Sequence, residues 1–193
     1  MLERNGDKRM ISIIIPTIEK NRDLLKDTVN HLIRNSDPEN IELIIIPNVG
    51  RTFEQATNWG LQMATGDYLL FCNDDVLVRH KSWQTFMTEP FKNPEVGMVN
   101  GTGYNWKDLA SFWFVMIRRD VFEKVGLLDE NYTHFCSDHD YSMRVKTAGY
   151  KIHHLPPLPM ITHLGSMTTK TLVNEKELIA KNKELFFAKW GFK

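Results

Sequence analysis

The chain has 193 residues, 42% of them hydrophobic and 25% charged, and its 24 basic and 24 acidic side chains leave a formal net charge of +0. That length supports one domain with a real core, and the charge balance excludes a polybasic nucleic-acid or membrane footprint. Two cysteines, Cys72 and Cys136, exclude a disulfide framework or a cysteine-built zinc site.

The polar start, residues 1–10, has no signal-peptide apolar region. No run reaches the roughly 18 apolar residues of a membrane helix. No integral membrane segment and a reducing, cytoplasmic location are therefore expected. Residues 11–15 form a β-branched apolar run stopped by Pro16, which predicts a buried parallel strand. Leu24, Leu25, Val29, Leu32 and Ile33 recur at helical spacing over residues 21–34. A second buried strand is expected over 41–46, stopped by Pro47, and completes a right-handed βαβ unit. Residues 52–63 read as a helix with Thr52 as N-cap, and Gly66 is its stop.

The third strand, from Tyr68, runs into Asn73-Asp74-Asp75. Apolar residues bury such a strand, but two adjacent carboxylates cannot be buried unpaired without a large cost. They belong at its carboxyl end, where open α/β sheets bind ligands. Two carboxylates held together suit a hard cation, Mn²⁺ or Mg²⁺, completed by substrate phosphates. A polar strand-to-loop turn is the other reading of the same residues.

Further on, strands are expected over 97–100, 112–117 and 151–155, and helices over 119–125, 138–148 and 174–188, with Asn174 as the last N-cap. The order predicts an α/β fold with a central, mostly parallel mixed sheet flanked by helices.

Five stretches carry a resemblance. They are Gly66 through Asp75; Val115 through Gly126; Ser137-Asp138-His139-Asp140 with Arg144 and Ala148-Gly149-Tyr150; His163-Leu164-Gly165; and Lys189-Trp190-Gly191. In this order the chain resembles the family 2 glycosyltransferases, and most closely their rhamnosyltransferase-like members. The resemblance implies a single GT-A (Rossmann-like) domain over 1–193. A nucleotide-sugar half would occupy about 10–100, and an acceptor and catalytic half 101–193. It implies a hexosyltransferase-type enzyme of polysaccharide biosynthesis that is metal-dependent and inverting. The donor would be a UDP-, GDP- or dTDP-sugar and the acceptor a saccharide or other hydroxyl compound.

It also implies roles. Asp75 would ligate the cation, with His163 completing the shell, although a lone His of this kind is more often an ordinary loop residue. Asp74 would lie near the ribose or a metal-bound water, and Asn73 would be donor-binding. Pro16, Thr17 and Glu19 would line the nucleoside pocket. Asn48 stands where relatives often carry a base-reading Asp, and it can donate and accept hydrogen bonds. Asn58, in Asn58-Trp59-Gly60, would face the donor or be a plain helix Asn. Asp138 matches the base that deprotonates the acceptor, or is a helix N-cap, with Asp140 in reserve. Ser137 departs from the family's usual Glu. Arg144 would contact phosphate or form an ion pair. Trp106 and Trp113 are expected on the acceptor side, where aromatic faces stack on sugars, with core packing the alternative for Trp113.

Two other functions fit parts of the pattern. A sugar-phosphate nucleotidyltransferase would need a glycine-rich loop after the first strand, and Pro16-Thr17-Ile18-Glu19 has no glycine. A non-catalytic nucleotide- or carbohydrate-binding domain would accommodate Ser137 and the Pro47-Asn48 loop.

Overall fold

The computed structural model describes residues 9–104, 106–165 and 174–192. The first βαβ unit is β1 (Ile11–Thr17), α1 (Arg22–Arg34) and β2 (Ile41–Pro47). Next come α2 (Phe53–Met63), β3 (Tyr68–Cys72), β4 (Val76–Val78) and α3 (Trp83–Thr88). The second half holds β5 (Val96–Asn100), β6 (Phe114–Arg118), α4 (Arg119–Val125), α5 (Ser137–Thr147), β7 (Lys151–His154), β8 (Ile161–His163) and α6 (Glu175–Trp190).

Six strands form one mixed sheet in the order β2-β1-β3-β6-β5-β7. β1 pairs in parallel with β2 and β3, and β5 in parallel with β7, whereas β6 runs antiparallel to both neighbours. Alternate residues of the central strands supply two cores. Ile11, Ile13, Ile15, Leu70 and Cys72 pack with Leu32 and Trp83 on one face. Ile14, Leu69 and Phe71 pack with Ala56, Leu61 and Tyr141 on the other. This is the period-2 logic of a strand buried on both faces. Cys72 is a buried free thiol in that core, and burial pushes its pKa far up.

Helix α2 lies very close to the sheet. A Cβ on Gly60 would come within 2.5 Å of Ile14 Cγ2, so only glycine permits the approach. Thr52 and Gln55 close a reciprocal capping box at its start, as the Thr52 assignment requires. Asn174 stands at the N-cap of α6 as expected, but it is left-handed (φ 68°) and makes no side-chain cap. The predicted strand at 112–117 begins two residues later, because Trp113 N–H turns back to Ser111 O at 2.9 Å. The short β4 and β8, absent from the sequence reading, pair antiparallel as a separate two-stranded sheet. Among the described residues no helix is long and apolar enough to cross a membrane.

Candidate active site

A cleft of about 260 Å³ opens at the carboxyl ends of β1, β2 and β3, where the strand order places a ligand. Pro16, Thr17 and Asn48 line one part of it, and Asn73, Asp74 and His163 another. Ser111, Phe112 and Trp113 contribute from before β6, and residues 134, 135, 137 and 138 from the start of α5.

The two neighbouring carboxylates have different surroundings. Asp74 accepts from Thr17 Oγ1 at 2.6 Å and from Asn21 Nδ2 at 3.1 Å, while Thr28 Oγ1 donates to its main-chain carbonyl at 2.9 Å. Asp74 therefore ties β1 and α1 to the end of β3. Burial raises its pKa, and the Asp75 charge adds to the rise; Thr17 and Asn21 only partly offset it. Asp75 is buried too, but its Oδ1 has no hydrogen-bond partner. That oxygen lies 3.0 Å from His163 Nε2.

The β4–β8 pairing explains this meeting of residues distant in sequence. Val76, next to Asp75, stands opposite His163, and Leu164 N–H donates to Asp75 O at 2.9 Å. Trp113 stacks flat on the His163 ring, with centroids 4.8 Å apart and planes 10° apart, and fixes its orientation. Asn73 Nδ2 is 3.5 Å from His163 Nε2.

A buried, unpartnered carboxylate oxygen beside an imidazole nitrogen fits a divalent cation. No cluster of three or more His, Cys, Asp or Glu suited to a metal occurs among the described residues. Two protein donors fit a cation whose other ligands are diphosphate oxygens and water, as is usual for Mg²⁺-type sites.

On the nucleoside side, Thr17 O accepts the Asn48 N–H at 2.7 Å, which joins the ends of β1 and β2. The Thr17 hydroxyl is engaged by Asp74. Asn48 Oδ1 is buried without a partner, so its amide keeps hydrogen-bonding capacity within the cleft. The side chain of Glu19 lies outside the described residues.

Asp138 lines the cleft from the second residue of α5. It is not the N-cap. Cys136 holds that position in a left-handed conformation without a side-chain cap, and burial pushes its thiol up to about 11. Asp138 Oδ1 accepts the His139 N–H at 2.8 Å.

Several other expectations are corrected. Asn58 does not face the cleft: its amide donates to Leu128 O and Glu130 Oε1 and accepts from Leu128 N, pinning α2 to the loop after α4. Asp140 cannot be a reserve base. It is fully buried and held by Arg144 Nε at 3.0 Å, Trp190 Nε1 at 2.9 Å and Lys189 Nζ at 2.9 Å. Arg144 is thus an ion-pair partner within the fold, not a phosphate contact. Trp106 lies outside the cleft, stacked 4.9 Å from His139 among the aromatics of α6. Trp113 lines the cleft just before its strand. Phe53, His134 and Phe135 also line the cleft, although they stand in no polar or strand-end pattern that would mark them in the sequence.

A mixed, mostly parallel central sheet flanked by helices is the fold of the GT-A glycosyltransferases. Residues 47–148 match Glycosyl transferase family 2, and the chain belongs to that family. It is 23% identical, over 74% of its length, to the O-antigen biosynthesis protein RfbC of Myxococcus xanthus, and spans 16% of that protein. Among solved structures it resembles a mannosyltransferase from Pyrobaculum calidifontis in complex with GDP-Man and Mn²⁺. The TM-score is 0.67 at 14% identity, covering 78% of this chain and 56% of that one. A mutant of Drosophila beta1,4galactosyltransferase 7, in complex with manganese, UDP-Gal and xylobiose, matches with a TM-score of 0.66 at 14% identity, over 88% of this chain and 78% of that one.

Proposed function

We propose that this domain is a metal-dependent, inverting glycosyltransferase that moves a sugar from a nucleoside-diphosphate sugar to a saccharide hydroxyl. One observation carries the reading. Asp75 Oδ1, buried and without a hydrogen bond, lies 3.0 Å from His163 Nε2 at the edge of the cleft that Asp138 lines from α5. Asp75 and His163 would hold Mn²⁺ or Mg²⁺, and such a cation disperses the negative charge that develops on a diphosphate leaving group. Asn48 and the Pro16–Thr17 segment bind the nucleoside. Trp113 and Asn73 keep His163 in place. Asp138 accepts the proton from the acceptor hydroxyl as that oxygen attacks the anomeric carbon opposite the diphosphate.

The Myxococcus relative's O-antigen name supports an acceptor in surface polysaccharide assembly. GDP-Man and UDP-Gal in the solved neighbours support a nucleotide-hexose donor. The test is transfer from a panel of UDP-, GDP- and dTDP-hexoses to oligosaccharide acceptors, with Mn²⁺ and with chelator, analysing the anomeric configuration of the product. Retained configuration, or full transfer in chelator, would overturn the reading.

A further inference from the structure

Glu54 is an ionisable group that the cleft chemistry leaves without a role. It occupies the first turn of α2, next to the cleft-lining Phe53, and its side chain is fully buried. A buried carboxyl is costly unless hydrogen bonds compensate it. Oε1 accepts the His134 main-chain N–H at 3.0 Å, while Oε2 is buried without a close hydrogen bond. Burial raises the carboxyl's pKa, and the Glu54 and His134 N–H groups and the Ser137 and Thr52 side chains only partly offset it.

The bond is made to an unusual piece of backbone. His134 and Cys136 are both left-handed, at φ 63° and 65°, and neither is glycine. Such residues are strained and persist only where their surroundings hold them. Asn182 of α6 donates to the carbonyls of Thr133 and Phe135 at 2.7 and 3.1 Å, bracing the turn from the other side. The strained turn leads directly into Ser137 and Asp138 at the start of α5. The residue next to Asp138 is Ser137, so the carboxyl that meets this turn comes from α2 instead.

We propose that Glu54 is a positioning residue: its buried carboxyl holds the left-handed turn at residues 134–136 and thereby aims Asp138 into the cleft. The inference rests on the reading of Asp138 as the base, but the anchor itself can be measured without transfer. In Glu54→Ala the His134 amide should exchange hydrogen about tenfold faster, the consequence of losing one hydrogen bond. With donor and acceptor supplied, kcat should fall by about 10²-fold, as for a catalytic group displaced by around 1 Å. Donor affinity should be unchanged, because the nucleoside contacts lie on β1 and β2. Glu54→Gln keeps an oxygen for the His134 N–H and should restore both readouts. Should Glu54→Ala not fold, Glu54→Asp, one methylene shorter, carries the same test. Unchanged exchange at His134 overturns the anchor. A loosened turn with a normal kcat overturns the positioning role, as does a Gln variant as defective as Ala. If the unmodified protein transfers no sugar, the functional reading fails by itself and the exchange data still decide the anchor.

Discussion

The Asp75 side chain sets up a prediction in which folded stability and metal binding separate. Its Oδ1 is buried without a hydrogen bond, 3.0 Å from His163 Nε2. Asp75→Ala breaks that contact but also removes a buried carboxylate, two effects of opposite sign. The main-chain bond from Leu164 N–H to Asp75 O survives the change. Apo stability should therefore move by no more than about 1 kcal/mol. Ligand linkage behaves differently. With nucleoside diphosphate and Mn²⁺ at 100 times their dissociation constant, the unmodified protein gains about 2.7 kcal/mol. For a domain of this size that raises Tm by about 5–11 °C. Asp75→Ala should abolish the part of the shift that depends on Mn²⁺. Differential scanning fluorimetry with nucleotide alone, Mn²⁺ alone and both together reads each contribution. An undiminished Mn²⁺-dependent shift in the Ala protein would refute the assignment of Asp75 as a ligand.

Asp138→Asn preserves side-chain size and should leave fold and donor affinity intact while lowering transfer by about 10²–10⁴-fold, measured as initial rate with saturating donor. Asn48→Ala should weaken nucleotide binding by about 1–3 kcal/mol in calorimetry, since the Asn48 amide faces the cleft with its Oδ1 unmatched. Asp140→Ala strips Arg144, Lys189 and Trp190 of a shared buried acceptor and should cost about 3–5 kcal/mol in urea unfolding. The junction between Asp129 and α6 should loosen in acid. Burial opposes the Asp129 charge, but Lys189 and Asn131 outweigh it and hold the pKa below the ordinary value. A depressed carboxyl pKa gives stability that is present above the unfolded value and lost as pH falls through the folded one. Hydrogen exchange in α6 followed from pH 6 downward checks the sign, and Lys189→Ala should flatten that dependence.

Much of the first half of the chain was legible because its signals are local. Apolar runs stopped by Pro16 and Pro47, helical spacing through Leu24 to Ile33, and Thr52 with Gln55 three residues later each fix an element by themselves. The placement of Asp74 and Asp75 followed from one physical constraint, that a buried strand must release its carboxylates at its end. Pairings across long stretches of chain were not legible. β4 and β8 are three residues each, too short for a periodic signal, yet their contact alone brings His163 to Asp75. Asn58 and Asp140 read as functional because polar residues near a motif invite that reading. Tertiary partners the sequence does not announce, the Leu128 backbone and the α6 side chains Lys189 and Trp190, claim both.

Within the cleft, the side chains proposed for the cation and for base recognition carry hydrogen-bonding capacity that the protein does not meet: Asp75 Oδ1 and Asn48 Oδ1 are buried without a hydrogen bond, as is Glu54 Oε2 in the scaffold. Those that shape the cleft, Asp74 and Asn58, are saturated by neighbours. A folded chain tolerates few unsatisfied buried polar atoms, because each forfeits its interaction with water. Under the proposed function, a cation would meet the carboxylate and an N–H of the nucleoside the amide oxygen. A base bearing an N–H and a diphosphate carrying a metal are the two ends of one nucleotide.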